Sequence, residues 1–213
     1  HLAHQLMVMR LMPLLQANNH SRIVITASDV HNPASGGGRV GNPAGLGDME
    51  GLSKGAGFEM VDGDSRFDAD KAYKDSKLCN VLMGRELTRQ LHGGGRAVPV
   101  IAWSPGLVIP KSSEGFFRTS RQENPIGLAL FSFVARDLLR LTESTSTAGR
   151  LLSALATEQT FDQPGFAYFS NHLIGPGRHR FEPKDTSEEA NNAAKAERLW
   201  RLSDDLMTQI CQV

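Results

Sequence analysis

The sequence predicts an α/β protein with a parallel sheet, organised like the second half of a doubly wound domain. Three observations carry this. The runs "RIVITAS" (22–28) and "AVPVIAWS" (97–104) are short, apolar and rich in β-branched residues, and read as buried strands. Long stretches of helical periodicity separate them, the alternation that builds parallel sheets. Only about three strands can be counted, too few for a complete doubly wound sheet.

The elements follow in order. Residues 2–16 carry Leu2, Leu6, Met9 and the Pro13 to Leu15 run at helical spacing. No capping residue precedes this helix, and the chain opens without Met or a targeting segment, so a piece of a longer chain is expected. After the strand at 22–28 comes a Gly-, Asn- and Asp-rich stretch, 29–66, a long loop of the kind that is usually functional or disordered. A helix is predicted over 68–91, stopped by Gly93, Gly94 and Gly95. The strand at 97–104 breaks at Pro105-Gly106. Helices are predicted near 125–139 and 147–157, and "GFAYFS" (165–170) reads as a third strand. His172 and residues 178–180 read as surface loop. The last helix has a capping-box start, with Thr186 as cap and Glu189 reaching back, and Leu199, Leu202, Leu206 and Ile210 form its apolar stripe.

The chain has 213 residues, enough for one domain with a sizeable core. Lys plus Arg and Asp plus Glu each total 23, a formal net charge of zero. That argues against nucleic acid, or an anionic membrane, as a partner recruited by bulk charge. Two cysteines, Cys79 and Cys211, make no disulfide framework, and a reducing compartment is the simpler reading. Cys79 is expected to be core packing. His1 and His4 lie one turn apart with no third ligand, so solvated helix positions are expected rather than a metal site. "GGGRVG" (36–41) fits G-x-G-x-x-G on paper, but no strand directly precedes it and no helix follows, so it reads as a loop.

"KAYKDSKLCN" (71–80) places Tyr73 and Lys77 at i and i+4, on one helix face. Free tyrosine titrates near pH ~10, and a neighbouring ammonium lowers that by stabilising tyrosinate. Ser28 stands at the carboxyl end of a strand, where open α/β sheets hold ligands. Such a Tyr/Lys pair also occurs on ordinary amphipathic helices. The order strand–Ser, helix–Tyr-x-x-x-Lys, strand–Pro-Gly is what points to a site.

That order resembles the short-chain dehydrogenase/reductase superfamily. "RIVITAS" is similar to its fifth strand with catalytic Ser28, "YKDSK" to its Tyr-x-x-x-Lys, and "SPGLV" to its Pro-Gly turn beside the nicotinamide. "HLAHQL", the insert ending "LGDMEGL", "KAYKDSKLCN", "GFAYFSN" and "SEEANNAAKAERLW" resemble, more narrowly, the light-dependent protochlorophyllide reductases. The resemblance runs over nearly the whole chain and implies one partial domain over 1–213, the C-terminal part of a Rossmann-like doubly wound sheet. The N-terminal nucleotide-binding half would lie upstream. It implies NADPH as cofactor and hydride transfer to a ring double bond of a tetrapyrrole pigment in a plastid. By the same resemblance Tyr73, Lys77 and Ser28 are catalytic, and Tyr73, Lys77, Pro105, Gly106 and Val108 meet the cofactor.

The pigment enzymes usually carry Tyr-Pro-Gly-Cys at the strand-end turn, where this chain has Ser104-Pro105-Gly106-Leu107, and Pro110 replaces a threonine found further along. Two alternatives therefore stand: a light-independent carbonyl reductase or alcohol dehydrogenase of the same superfamily, and a non-catalytic binding module. Phe116 and Phe117 either cover a flat aromatic substrate or fill a core. Residues 126–135, "IGLALFSFVA", either pack on the sheet or lie against a membrane surface or a large pigment.

Overall fold

A computed structural model of the chain describes residues 1–18, 20–55, 57–64, 66–92, 98–109, 122 and 124–211. The Gly93 to Gly95 stop, Pro110, Phe116 and Phe117 lie outside the described residues. One sheet runs in the order β1 (Ile23–Thr26), β2 (Val100–Ser104), β3 (Phe166–Gly175), β4 (Arg178–Pro183). β1, β2 and β3 are parallel, with Ile23 opposite Val100 and Val100 opposite Phe166. β4 runs antiparallel to β3. The count of three strands is thus one short, and the surface-loop reading of His172 and residues 178–180 is overturned: His172 faces Arg180 in a hairpin. β4 pairs on one side and stays half exposed, so it needs no apolar run to mark it.

Helices cover both faces: α1 (Leu2–Ala17), α2 (Glu50–Ser53), α3 (Ala69–His92), α4 (Pro125–Phe133), α5 (Thr145–Thr157) and α6 (Ala193–Cys211). Strand alternation divides the core in two. Ile23, Ile25, Val100, Ala102 and Tyr168 pack with α3 and α6. Ile101, Trp103 and Phe169 pack on the other face with Leu155 of α5 and Phe181 of β4.

α3 starts because Asp68 caps it, its Oδ1 accepting from the Asp70 and Lys71 amides at 3.0 and 3.1 Å. Leu78, Val81, Leu82 and Leu87 then fall on the buried face, each fully enclosed. Gly84 lets the helix lie close on the sheet: a Cβ there would stand 2.8 Å from the Phe166 ring and 3.2 Å from Ile25. The Tyr73 and Lys77 turn is therefore held at a fixed height above β1.

The glycine-rich insert is not a free loop. Leu46, Met49, Leu52 and Met60 are buried in it. Two α3 lysines hold its backbone: Lys74 Nζ donates to the carbonyls of Val40 and, at 2.9 Å, Asn42, while Lys71 Nζ donates to Gly45 O at 2.8 Å. Residues 36–41 form turns with no helix after them, as their context implies.

Two other expectations are corrected. The capping box on Thr186 does not form. Ser187 Oγ instead accepts from Ala190 N at 3.2 Å over a short 3-10 turn, and Asn192 caps α6 through the Lys195 amide. Glu189 reaches outward to the insert, accepting from Leu46 N at 2.9 Å and from Lys195 at 2.6 Å. His1 is not simply solvated, because its Nε2 lies 2.8 Å from Ser203 Oγ on α6.

In α4 and the π-helical turn after it (Val134–Leu138), only Leu128 and Ala135 are buried. Ile126, Leu130, Phe131, Phe133 and Leu138 are exposed. No helix among the described residues is long and apolar enough to cross a membrane.

Candidate active site

The carboxyl end of β1 and the first turns of α3 meet at one place. Lys77 Nζ stands 5.5 Å from the centroid of the Tyr73 ring and donates to the Thr26 carbonyl at 3.4 Å. Asn80, one turn further on, donates to the same carbonyl at 3.1 Å. The Ser28 side chain lies close enough to the Tyr73 hydroxyl to favour its ionised form, and Ser28 Oγ accepts from the Val30 amide at 3.5 Å. Ser28, Tyr73 and Lys77 thus form one cluster. Pro105, Gly106 and Val108 sit at the neighbouring end of β2. Gly106 has φ +82°, and a Cβ on it would fall 2.6 Å from the Asn171 carbonyl, so only glycine makes this turn. Val108 bridges in parallel to Glu143, whose amide donates to Leu107 O at 2.8 Å.

The electrostatics differ from the sequence expectation in one respect. Burial holds the Tyr73 hydroxyl above the ordinary tyrosine range, with the nearby Ser28 side chain opposing, so Lys77 does not bring it below that range here. Lys77 is itself held below the usual lysine range by burial. Both groups are therefore biased toward their neutral forms. Cys79 is fully buried, as expected of core packing, and its thiol is pushed up to about 12 by that burial.

The sequence reading missed the residues that hold Ser28 from behind. His31 is buried, its Nδ1 2.7 Å from Ser28 O and its Nε2 accepting from Ser187 N at 3.4 Å. These partners assign the neutral tautomer with hydrogen on Nδ1. Asp29 accepts from Tyr168 Oη at 2.8 Å and Ser170 Oγ at 2.6 Å, while its amide donates to Ser104 Oγ at 3.2 Å. One signal was available: Tyr168 and Ser170 are two apart in a strand, so two hydroxyls share one face.

His31 yields a pH prediction. Burial, the largest cause, holds its pKa below the ordinary histidine value. An unfolded chain then binds the proton first, so stability is complete above about pH 6.5 and declines as pH falls below it. Unfolding free energy measured from about pH 7 down to about pH 5 is expected to decline, and His31→Gln to flatten that decline; equal slopes would remove His31 as the cause.

No protein-family model matches the chain. Protochlorophyllide reductase A of Triticum aestivum is 32% identical over 213 residues, covering 97% of this chain and 52% of that protein. The protochlorophyllide reductase of Avena sativa is 31% identical, covering 97% of this chain and 64% of that protein. A crystal structure of an uncharacterized Mycobacterium paratuberculosis protein superposes with a TM-score of 0.60 at 22% identity, covering 98% of this chain and 56% of that one. The chain is a short-chain dehydrogenase/reductase-like protein. It spans about half the length of the wheat relative, 52%.

In a short-chain dehydrogenase/reductase-like chain the question is whether these residues fit a nicotinamide cofactor. They fit its nicotinamide-ribose end. Lys77 carries three N–H donors and, among the described residues, uses one of them at 3.4 Å, which leaves donors for sugar hydroxyls. The Gly106 turn presents backbone without a side chain. The described residues offer no strand–glycine turn–helix unit for a pyrophosphate, since the glycines at 36–41 lie within the insert.

Proposed function

We propose that the chain is the catalytic part of an NADPH-dependent reductase of the protochlorophyllide reductase type. The observation that carries this is the Lys77 amine 5.5 Å from the Tyr73 ring and bonded to the Thr26 carbonyl, with Ser28 beside the Tyr73 hydroxyl, at the ligand-binding end of the sheet. NADPH, when bound, supplies the hydride. Tyr73 holds the proton to be delivered at its hydroxyl, and burial keeps it there at neutral pH. Ser28, beside that hydroxyl, steadies the phenolate left once the proton has gone. Lys77 offers a cation beside the ring and N–H donors for the ribose. A tetrapyrrole substrate accords with the exposed apolar residues of α4, and a plastid location goes with that reading.

A second reading, a light-independent carbonyl reductase of the same superfamily, is favoured by the turn itself. Ser104 is buried and its hydroxyl accepts from the amides of Asp29 and Gly106, at 3.2 and 3.5 Å. Leu107 has no proton to give. The deciding experiment gives the full-length protein NADPH with protochlorophyllide, then with simple carbonyl compounds, in darkness and under illumination. Pigment-dependent NADPH consumption only in light supports the first reading. Consumption in darkness with a carbonyl compound transfers support to the second. No consumption under any condition, with NADPH still bound, leaves a binding module.

A further inference from the structure

We propose that Asp29 is the positioning residue of this site: its carboxylate, clamped by the hydroxyls of Tyr168 and Ser170, fixes the adjoining Ser28 hydroxyl on Tyr73. The proposal rests on the reductase reading only for its effect on turnover. Its structural content stands on the geometry.

Asp29 directly follows Ser28, just beyond the end of β1. Oδ1 accepts from Tyr168 Oη at 2.8 Å and Oδ2 from Ser170 Oγ at 2.6 Å, so each oxygen is held by a different β3 side chain. The backbone amide of Asp29 is tied to β2 through Ser104 Oγ at 3.2 Å, and its carbonyl accepts from Ser35 Oγ at 2.7 Å. Tyr168, Ser170 and Ser104 are at most 5% exposed, so the donors cannot swing away to water. The ends of β1 and β2 and the middle of β3 are therefore stitched together at the residue after Ser28. His31 holds the Ser28 carbonyl from the far side. With its carbonyl and the following residue fixed, the Ser28 hydroxyl is held between the Val30 amide, from which it accepts at 3.5 Å, and Tyr73. Hydrogen bonds to an ionised carboxylate are among the stronger ones, and two buried donors left without it would be costly. The arrangement also gives Ser104 a task, as acceptor for the amides on either side of the junction.

The test reads Ser28's hold on Tyr73 directly. The chain contains two tyrosines, Tyr73 and Tyr168. In the full-length protein, tyrosine labelled with carbon-13 at Cζ is titrated by NMR, and the Tyr73 signal is assigned by its loss in Tyr73→Phe. The groups bearing on that titration are Ser28, which lies beside the phenol, and Lys77, which stands over its ring. In Asp29→Asn the Tyr73 titration is expected to shift, and in Ser170→Ala, which keeps the carboxylate's charge, to move to higher pH, because a hydrogen bond favouring tyrosinate is weakened. Turnover is expected to fall about tenfold with the nucleotide KM unchanged within about twofold. Tyr73 titrating as in the parent, with parental turnover, overturns the proposal. Should Asp29→Asn fail to fold, Ser170→Ala removes one donor, keeps the carboxylate, and is read by the same two results. If the parent itself turns nothing over, the reductase reading falls, and the titration alone decides the role of Asp29.

Discussion

Tyr73→Phe in the full-length protein is expected to lower turnover by about a hundredfold to ten-thousandfold, the span over which positioned acid–base groups act. The change removes one oxygen and keeps the ring. Lys77 keeps its aromatic neighbour at 5.5 Å, and its bond to Thr26 is untouched. Nucleotide affinity should therefore hold within about twofold, so the loss appears in kcat rather than in binding. Ser28 retains the Val30 amide, at 3.5 Å, as a local partner, and the fold should survive. Steady-state kinetics beside nucleotide titration separates the two quantities. Turnover equal to the parent would dismiss Tyr73 as the proton donor and the proposed mechanism with it.

The second large effect is on stability. Leu82→Ala is expected to destabilise the protein by about 2–5 kcal/mol, the cost of emptying a fully buried leucine site. Leu82 has no exposed surface and belongs to the cluster joining α3, α6 and the sheet. Its neighbours are constrained: Leu78 and Leu87 are equally enclosed, and Gly84 already sets α3 as close to the sheet as Phe166 allows. The cavity has little means of collapsing, which favours the upper part of the range. Chemical denaturation followed by circular dichroism measures it, and a change below about 1 kcal/mol would contradict the close packing derived for this face.

Much of this was written in local patterns. β1, β2 and α3 follow from β-branched runs and from apolar residues at helical spacing, and the Tyr73 and Lys77 face follows from i, i+4 geometry alone. What the sequence hid has physical causes. β4 is polar and paired on one side, so it carries no buried run. The 29–66 insert looked loose because its order comes from distant partners: Lys71, Lys74 and Glu189 hold its backbone, and none of them lies within it. The capping box failed because Glu189 found a stronger use against the insert. The tyrosine's acidity was misjudged because burial outweighed the nearby amine, and burial is a tertiary property. Asp29 escaped notice because its two donors lie about 140 positions away in the chain, in a strand selected mainly for apolar character.

The lysines of α3 have an electrical consequence. Lys71, Lys74 and Lys77 recur every three residues, which on paper concentrates positive charge along one side of the helix. Yet Lys71 is matched by Asp62 and Asp75 at 3.1 and 2.6 Å, and Lys74 by Asp70 at 2.6 Å. Asp62, Asp70 and Asp75 thus offset the three lysines in sum, and among the described residues Lys77 is the one of the three with no carboxylate at ion-pair distance, so an approaching anion meets a local cation on a side of the helix with little net charge. Attraction at the mouth of the site is short-ranged and tuned to a single contact, and background salt should slow ligand capture only modestly.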